Sequence, residues 1–167
     1  MSTKLISLAL AAMPMALAQP AFAGSAHSAR SAAAERCTVA TPQQVVGLFT
    51  SFNDAWLTKD PAKVAALFDD DAVLLPTVSN TPRTDLAGVE DYFVKFLKSS
   101  PVSRIDTSTI KTGCNWAARL GTWTVTLTDP ATGAKTDVKA RYSFIYGFED
   151  GMWRIEHLHS SAMPEKL

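Results

Sequence analysis

The hydrophobic period of the sequence changes near Pro101, and this change is the strongest constraint on the fold. Upstream of it, apolar residues recur at the spacing of amphipathic helices; downstream they alternate, which is typical of half-buried strands. Such strands need cover on one face, so the sequence predicts an α+β cone, with three N-terminal helices packed on a curved, mainly antiparallel sheet around a cavity. The long strands are predicted at residues 102–112, 115–128, 136–148 and 152–162.

Each predicted helix begins at a capping signal. Thr41, Pro42 and Gln44 together form a capping box with proline at the first helical position. This first helix should extend to about residue 58, because a single apolar stripe continues that far. Asp60, which precedes a proline, opens a shorter second helix by the same logic.

A short strand and a loop are predicted between the second and third helices. An acidic turn at 69–71 leads into a brief apolar strand at 72–75, which Pro76 stops. Residues 76–84 are rich in proline and small polar residues, so they should form a loop. Asp85 then caps a third helix, at about 86–98.

The N-terminus has the pattern of a secretory signal peptide. Lys4 precedes an uncharged apolar run, 5–17, and an Ala-Phe-Ala cleavage site follows at 21–23. The run is too short to cross a bilayer and no second long apolar segment follows, so we expect a periplasmic or secreted protein without membrane attachment after cleavage. The predicted organisation is a signal peptide at 1–23, a flexible leader at 24–36 and one domain at 37–167.

The charge of the chain does not favour a polyanionic partner. It has 16 Lys and Arg against 16 Asp and Glu, and both signs are scattered along the sequence. A protein that binds a nucleic acid or an anionic membrane surface usually presents a basic patch to it. We therefore expect neither as a partner.

Cys37 and Cys114 are the only cysteines in the sequence. Both lie in the part predicted to be exported, where oxidation is permitted, so we predict a disulfide between them. Two separate thiols are the alternative.

The last predicted strand contains two histidines and two serines in the run Trp153-Arg154-Ile155-Glu156-His157-Leu158-His159-Ser160-Ser161. Strict alternation puts the two histidines on the face of Ile155, toward the cavity. A metal site would need a third and a fourth ligand, so we expect no metal and no cofactor. The predicted cavity residues are Trp56, Tyr92, Trp123, Tyr142, Tyr146, His157 and His159.

Other polar residues are candidates for catalysis or for binding of a carboxylate. Tyr142 as hydrogen-bond donor and His157 as base form a candidate catalytic pair, although an aromatic series is more often plain core. Arg83, Arg119 and Arg141 could hold a carboxylate by bidentate contacts, although surface arginines are the default.

The C-terminal motifs resemble one known family. Asp150-Gly151-Met152-Trp153, followed by the segment 157–164, is similar to the D-G-x-W and H-x-H-x-S-x-x-P pattern of the calcium/calmodulin-dependent protein kinase II association domain, within the NTF2-like superfamily of SnoaL-like and ketosteroid isomerase-like proteins. The order of elements over about 40–165 is also similar.

The resemblance implies an NTF2-like cone that assembles through its sheet into homodimers or larger rings and accepts a small-molecule ligand. It does not imply kinase activity, since the chain has no Gly-rich nucleotide loop, H-R-D or D-F-G motif. The expected function is therefore an exported, oligomeric binding or assembly protein. The alternative is a SnoaL-like or ketosteroid isomerase-like enzyme acting on a small hydrophobic or polyketide-like substrate in the cavity.

Overall fold

The computed structural model describes residues 37–164. The predicted signal peptide, 1–23, and leader, 24–36, lie outside the described residues and stay predictions. No helix in the described part is both long and apolar enough to cross a membrane. The elements, in chain order, are helix α1 (Pro42–Leu57), helix α2 (Pro61–Ala65), strand β1 (Phe68–Leu75), helix α3 (Leu86–Phe96), a 3₁₀ turn (Leu97–Ser99), and strands β2 (Val102–Gly113), β3 (Trp116–Thr128), β4 (Lys135–Glu149) and β5 (Met152–Ala162).

The predicted caps are present at all three helices. Thr41 Oγ1 accepts from the backbone N–H of Gln44, whose side chain accepts in return from the backbone of Thr41. Asp60 and Asp85 accept backbone N–H groups at the starts of α2 and α3. These side chains satisfy donors that the helix itself leaves free, so they fix where each helix begins.

The five strands form one sheet in the order β1-β5-β4-β3-β2. The pairs β2–β3, β3–β4 and β4–β5 are antiparallel, and β1 pairs in parallel with β5. The helices cover one face, so the predicted α+β architecture is confirmed. Strand β1 begins at Phe68, four residues before the predicted start, because the acidic residues expected in a turn continue the strand.

The core between helices and sheet is mainly aromatic. Phe52 of α1 lies 5.1 Å from Phe144 of β4 and 6.2 Å from Phe93 of α3, measured between ring centroids. These edge-to-face contacts join the two long helices to the centre of the sheet. Fully buried aromatic rings of this size make burial of apolar area the main stabilising term.

A disulfide joins Cys37 and Cys114, which confirms the predicted pairing. Their Cα atoms are 4.9 Å apart, and the bond connects the residues before α1 to the turn between β2 and β3. Thr38 and Asn115 exchange hydrogen bonds beside it. Residues 37 and 38, which precede α1, are therefore attached to the sheet by a covalent bond and by hydrogen bonds.

A β-bulge in β5 changes which side chains face the helices. Tyr146 pairs with Ile155, but the preceding residue, Ile145, pairs with His157, so Glu156 is the extra residue. The alternation of faces is displaced by one position after the bulge. As a result, Leu158 and Ser160 are buried under the helices.

Candidate functional site

A mostly apolar cavity lies between α1, α3, the segment after β1 and the inner face of the sheet. About 30 Å³ of this cavity admits the centre of a water-sized sphere. The cavity has room for about two water molecules, so the free space between its side chains is narrow. Its lining comprises Trp56, Leu74, Pro76, Thr77, Val78, Tyr92, Phe93, Phe96, Trp123, Val125, Leu127, Val138, Leu158 and Ser160.

Ser160 supplies the main polar group of this cavity. Its Oγ accepts a hydrogen bond from Trp123 Nε1 at 3.1 Å and another from Thr77 Oγ1. A serine hydroxyl has two acceptor lone pairs and one proton, so both lone pairs are occupied while the O–H remains able to donate. Ser160 is buried, so its hydroxyl is shielded from bulk water.

Trp56 contributes a second donor. Its Nε1 is buried and no acceptor in the described part of the chain contacts it. Trp56 packs 5.8 Å from Trp123 and 5.0 Å from Phe96 between ring centroids. The cavity wall thus combines flat aromatic surfaces with a few hydroxyl and indole N–H groups, and among the described residues the Trp56 Nε1 donor has no acceptor. This arrangement suits an apolar ligand with a hydrogen-bond acceptor.

No side chain with a formal charge at neutral pH lines the cavity among the described residues. Tyr92 is the titratable group there, and burial raises its pKa, an effect that the nearby Arg83 charge opposes. The Arg83 guanidinium carbon lies 5.8 Å from the centroid of the Tyr92 ring. The phenol therefore stays protonated at neutral pH, and no carboxylate or imidazole from residues 37–164 lines the cavity.

The structure brings together three of the predicted cavity residues, Trp56, Tyr92 and Trp123. Tyr142 and Tyr146 face the same side of the sheet but are packed in the core rather than along the cavity. Tyr142 donates from its hydroxyl to the backbone carbonyl of Thr107 at 3.1 Å, so its proton is already engaged.

His157 and His159 lie on the opposite face of the sheet from the cavity, so their predicted orientation is wrong. The reason is the bulge at Glu156, which strict alternation did not include. The two rings are 6.5 Å apart. Burial lowers the pKa of His157, the backbone hydrogen bond with Val73 opposes this, and the charge of His159 adds to the decrease. The proposed Tyr142–His157 pair is separated by the sheet.

The three arginines have different environments. Arg141 is exposed on the outer face of β4, and Arg83 stands beside Tyr92. Arg119 is buried, 7% exposed, which corrects the default reading of a surface arginine. None of them lines the cavity.

A separate open depression on the surface is acidic. Its lining is Asp69, Asp70, Asp71, Glu149 and Glu156. Burial raises the pKa of Glu156, and the charges of Glu149, Asp69 and Asp71 raise it further. Within residues 37–164, no group of three or more His, Cys, Asp or Glu side chains is placed to hold a metal ion.

Sequence reasoning missed Ser160, Thr77 and Pro76 as cavity residues. Thr77 and Pro76 belong to the loop that was predicted but not assigned to the cavity. Strict alternation places Ser160 on the face opposite the histidines, whereas the structure buries it in the cavity wall. A signal existed in the spacing of Leu158, since a large apolar residue on the supposed outer face is unusual next to two histidines.

The comparisons define the family. The family model of the calcium/calmodulin-dependent protein kinase II association domain matches residues 41–164, so the chain belongs to this family. A solved Xanthomonas campestris structure described as such an association domain is 44% identical, with a TM-score of 0.73, over 76% of this chain and 91% of that chain.

More distant structures share the fold. An NTF2-like superfamily protein from Salmonella enterica matches with 16% identity and a TM-score of 0.65, over 74% of this chain and 92% of that chain. A ketosteroid isomerase-like protein from Erwinia carotovora matches with 18% identity and a TM-score of 0.60, over 72% of this chain and 95% of that chain. No curated protein sequence matches the chain significantly.

Proposed function

We propose that this protein is an exported, homo-oligomeric member of the association-domain family that binds a neutral, mostly apolar small molecule in its cavity. The observation that carries the proposal is the cavity wall itself, which is mostly aromatic and aliphatic, has no charged side chain among the described residues, and offers Ser160 Oγ and Trp56 Nε1 as hydrogen-bond donors. A ligand with one carbonyl or ether oxygen would complete these hydrogen bonds, while a charged ligand would lose its hydration without a counter-ion.

Entry to the cavity involves the segment 76–78. The hydrogen bond between Thr77 and Ser160 crosses from this segment to β5 at the cavity wall. Because the free space is only about 30 Å³, a ring-sized ligand needs the segment to move outward. Binding should therefore break or rearrange the Thr77–Ser160 contact.

The proposal is tested with three probes of similar shape. Acetophenone carries one acceptor, α-methylstyrene has none, and benzoate is charged. We expect acetophenone to bind most tightly, measured by quenching of tryptophan fluorescence and by titration calorimetry. Ser160→Ala should weaken acetophenone binding by about tenfold, the size of one hydrogen bond, and leave α-methylstyrene binding nearly unchanged. Preferential binding of benzoate, or equal effects of Ser160→Ala on both neutral probes, would contradict the proposal.

Assembly is proposed to use the outer face of the sheet. Leu120, Ser143 and Ile145 are neighbours there, on strands β3 and β4, and each is half-buried and uncharged. Small and apolar residues at the centre of an exposed sheet suit a self-complementary contact across a two-fold axis. A second copy of the chain is the proposed partner.

Light scattering coupled to size-exclusion chromatography tests the assembly. We expect a dimer or a larger closed oligomer for the wild type and a monomer for Ser143→Glu, because the added carboxylates would face each other across the contact. Val46→Glu, on the exposed surface of α1, is the matched control and should retain the wild-type mass. A monomeric wild type would refute the assembly.

Mass spectrometry of the exported protein should place its N-terminus at Gly24.

The enzyme alternative lacks support in the cavity. Ketosteroid isomerase-like chemistry requires a base, and no carboxylate or imidazole among the described residues lines this cavity. The similarity to a ketosteroid isomerase-like protein is at 18% identity and extends to the fold. Turnover of a bound ketone that is lost in Tyr92→Phe alone would reinstate the enzyme reading.

A further inference from the structure

A second pocket, which we call the polar pocket, lies beside the cavity at the end of β1. The pairing of β1 with β5 ends at Leu75 and His159, whereas β5 continues to Ala162 with β4 as its partner. The chain that leaves β1 passes beside this last part of β5, and an open space remains between the two segments. The lining of the polar pocket comes from residues 75–82 of the loop and 159–162 of β5.

The polar pocket and the cavity share a wall. Pro76, Thr77 and Ser160 line both of them. The hydrogen bond from Thr77 Oγ1 to Ser160 Oγ belongs to this wall, so it stands between the two spaces. About 270 Å³ of the polar pocket admits the centre of a water-sized sphere, against about 30 Å³ of the cavity. The larger room therefore lies outside the shared wall.

The loop that carries Thr77 is fixed at its base. The N–H of Leu74 donates to the Arg83 carbonyl at 2.8 Å, and the N–H of Arg83 donates to the Leu74 carbonyl at 2.9 Å. Between Leu75 and Arg83, the Thr77–Ser160 contact is the one hydrogen bond among the described residues that connects the loop to β5. Breaking this contact would join the cavity to the polar pocket while the base of the loop stays in place.

The two spaces differ in their chemistry. The cavity is mostly aromatic and aliphatic, whereas the polar pocket presents serine and threonine hydroxyls, the Asn80 amide and the His159 imidazole. No Lys, Arg, Asp or Glu side chain from residues 37–164 lines the polar pocket. Hydroxyl and amide groups both donate and accept hydrogen bonds, and so do the hydroxyls of a polyol. A charged group would find no counter-ion in this wall.

We propose that the polar pocket is the second half of the ligand site and holds a neutral head group with several hydroxyls, namely a sugar or another polyol. The inference rests on the proposed function, because the apolar part of the same molecule occupies the cavity. The oxygen that joins the two parts lies at the shared wall, where it accepts a hydrogen bond from Ser160 once Thr77 has moved away. The ligand is thus a neutral amphiphile, an aromatic or short alkyl group linked through oxygen to a polyol.

Four probes of matched structure test this two-part site. Phenyl β-D-glucoside has both parts, anisole has the ring and the ether oxygen, methyl β-D-glucoside has the sugar without the ring, and phenyl β-D-glucuronide adds a carboxylate. Titration calorimetry on the purified protein measures each dissociation constant. We expect phenyl β-D-glucoside to bind about tenfold more tightly than anisole, which one or two net hydrogen bonds would supply. Methyl β-D-glucoside and the glucuronide should both bind more weakly than phenyl β-D-glucoside.

Two substitutions locate the head group. Asn80→Ala and Ser161→Ala remove polar side chains that line the polar pocket but not the cavity. Each should weaken phenyl β-D-glucoside binding by about three- to tenfold, the size of one hydrogen bond, and leave anisole binding nearly unchanged. Thr112→Ala removes a hydroxyl from an exposed position on β2 and is the matched control. It should retain the wild-type affinity for every probe.

Several results would overturn the inference and leave the proposed function standing. These are equal affinities for anisole and phenyl β-D-glucoside, or unchanged phenyl β-D-glucoside binding in both Asn80→Ala and Ser161→Ala. Methyl β-D-glucoside binding as tightly as phenyl β-D-glucoside would show that the two spaces act separately, and tighter binding of the glucuronide would exclude a neutral head group. If neither anisole nor phenyl β-D-glucoside binds, the proposed function fails together with the inference.

Discussion

Replacing Cys37 and Cys114 together by alanine should destabilise the protein strongly. The disulfide closes a loop with a sequence separation of 77 residues. In the chain-entropy relation, a cross-link over such a loop restricts the unfolded ensemble by about 4.5 kcal/mol at 25 °C. The total stability of a domain of this size is typically about 5–15 kcal/mol, so the loss would be a large part of it.

Contacts beside the disulfide should keep the folded structure intact in the variant. The backbone N–H of Thr38 donates to Asn115 Oδ1 at 2.7 Å, and the N–H of Asn115 donates to the Thr38 carbonyl at 2.8 Å. Since the native ends remain together without the covalent bond, the main effect falls on the unfolded state. We therefore expect a loss of about 3–4.5 kcal/mol rather than a changed fold.

Urea denaturation followed by circular dichroism measures this effect. The free energy of unfolding should fall by the stated amount, and the dependence on urea should become steeper, because the untethered chain exposes more surface. Asn115→Gly is the control. It removes the side-chain bond to Thr38 but keeps the positive backbone angle, φ 59°, which glycine tolerates, so it should cost about 1 kcal/mol. A smaller loss in the double-cysteine variant than in Asn115→Gly would refute the chain-entropy argument.

Further substitutions test the electrostatics and packing of the fold. Glu156→Gln should stabilise the protein at pH 7, because the raised pKa of this carboxyl means that its charged form disfavours the folded state. The gain should disappear as the pH falls toward the ordinary glutamate pKa, near about 4.3, and chemical denaturation across this range measures it. Glu90→Gln, exposed on α3, should change stability by less than about 0.5 kcal/mol at either pH. Gly121→Ala should cost more than about 2 kcal/mol, since its methyl group would collide with the Thr107 carbonyl, whereas Gly47→Ala in open space on α1 should stabilise by about 0.5–1 kcal/mol.

Most of the fold could be predicted because its signals are local. The cap at Thr41 involves side chains three residues apart, and the turn at Asp150-Gly151 needs only a positive backbone angle at two adjacent residues. Strand β1 was predicted too short for the opposite reason. Its acidic residues have low strand propensity, and the strand begins before them because Phe68 pairs with Ile155 of β5, which is distant in sequence. Residues 69–72 form an irregular stretch between this pair and the pair of Val73 with His157.

The cavity was only partly predictable because its composition depends on register. The hydrophobic period is regular in the elements that carry Trp56, Tyr92 and Trp123. Pattern alone therefore predicts that these three side chains line the cavity, where the structure has them. Ser160 comes after the bulge at Glu156, where a single extra residue exchanges the two faces. Leu158 hints at a displaced register, but the position of a bulge depends on the partner strand, so residues 153–161 by themselves do not fix it.

The bulge also explains how the C-terminal strand contributes side chains to both the proposed ligand site and the proposed subunit contact. Without it, the histidines would point into the aromatic core, where a cation could not be paired, and Leu158 would point to solvent. With the extra residue, Leu158 and Ser160 complete the cavity wall, while His157 and His159 are brought to the outer face proposed for assembly. The extra residue is itself an acidic side chain, Glu156, packed over Gly147, where a side chain larger than hydrogen would collide with it. One strand thus contributes to both the proposed ligand site and the proposed subunit contact, so occupancy of the cavity and assembly of the protein are best measured on the same samples.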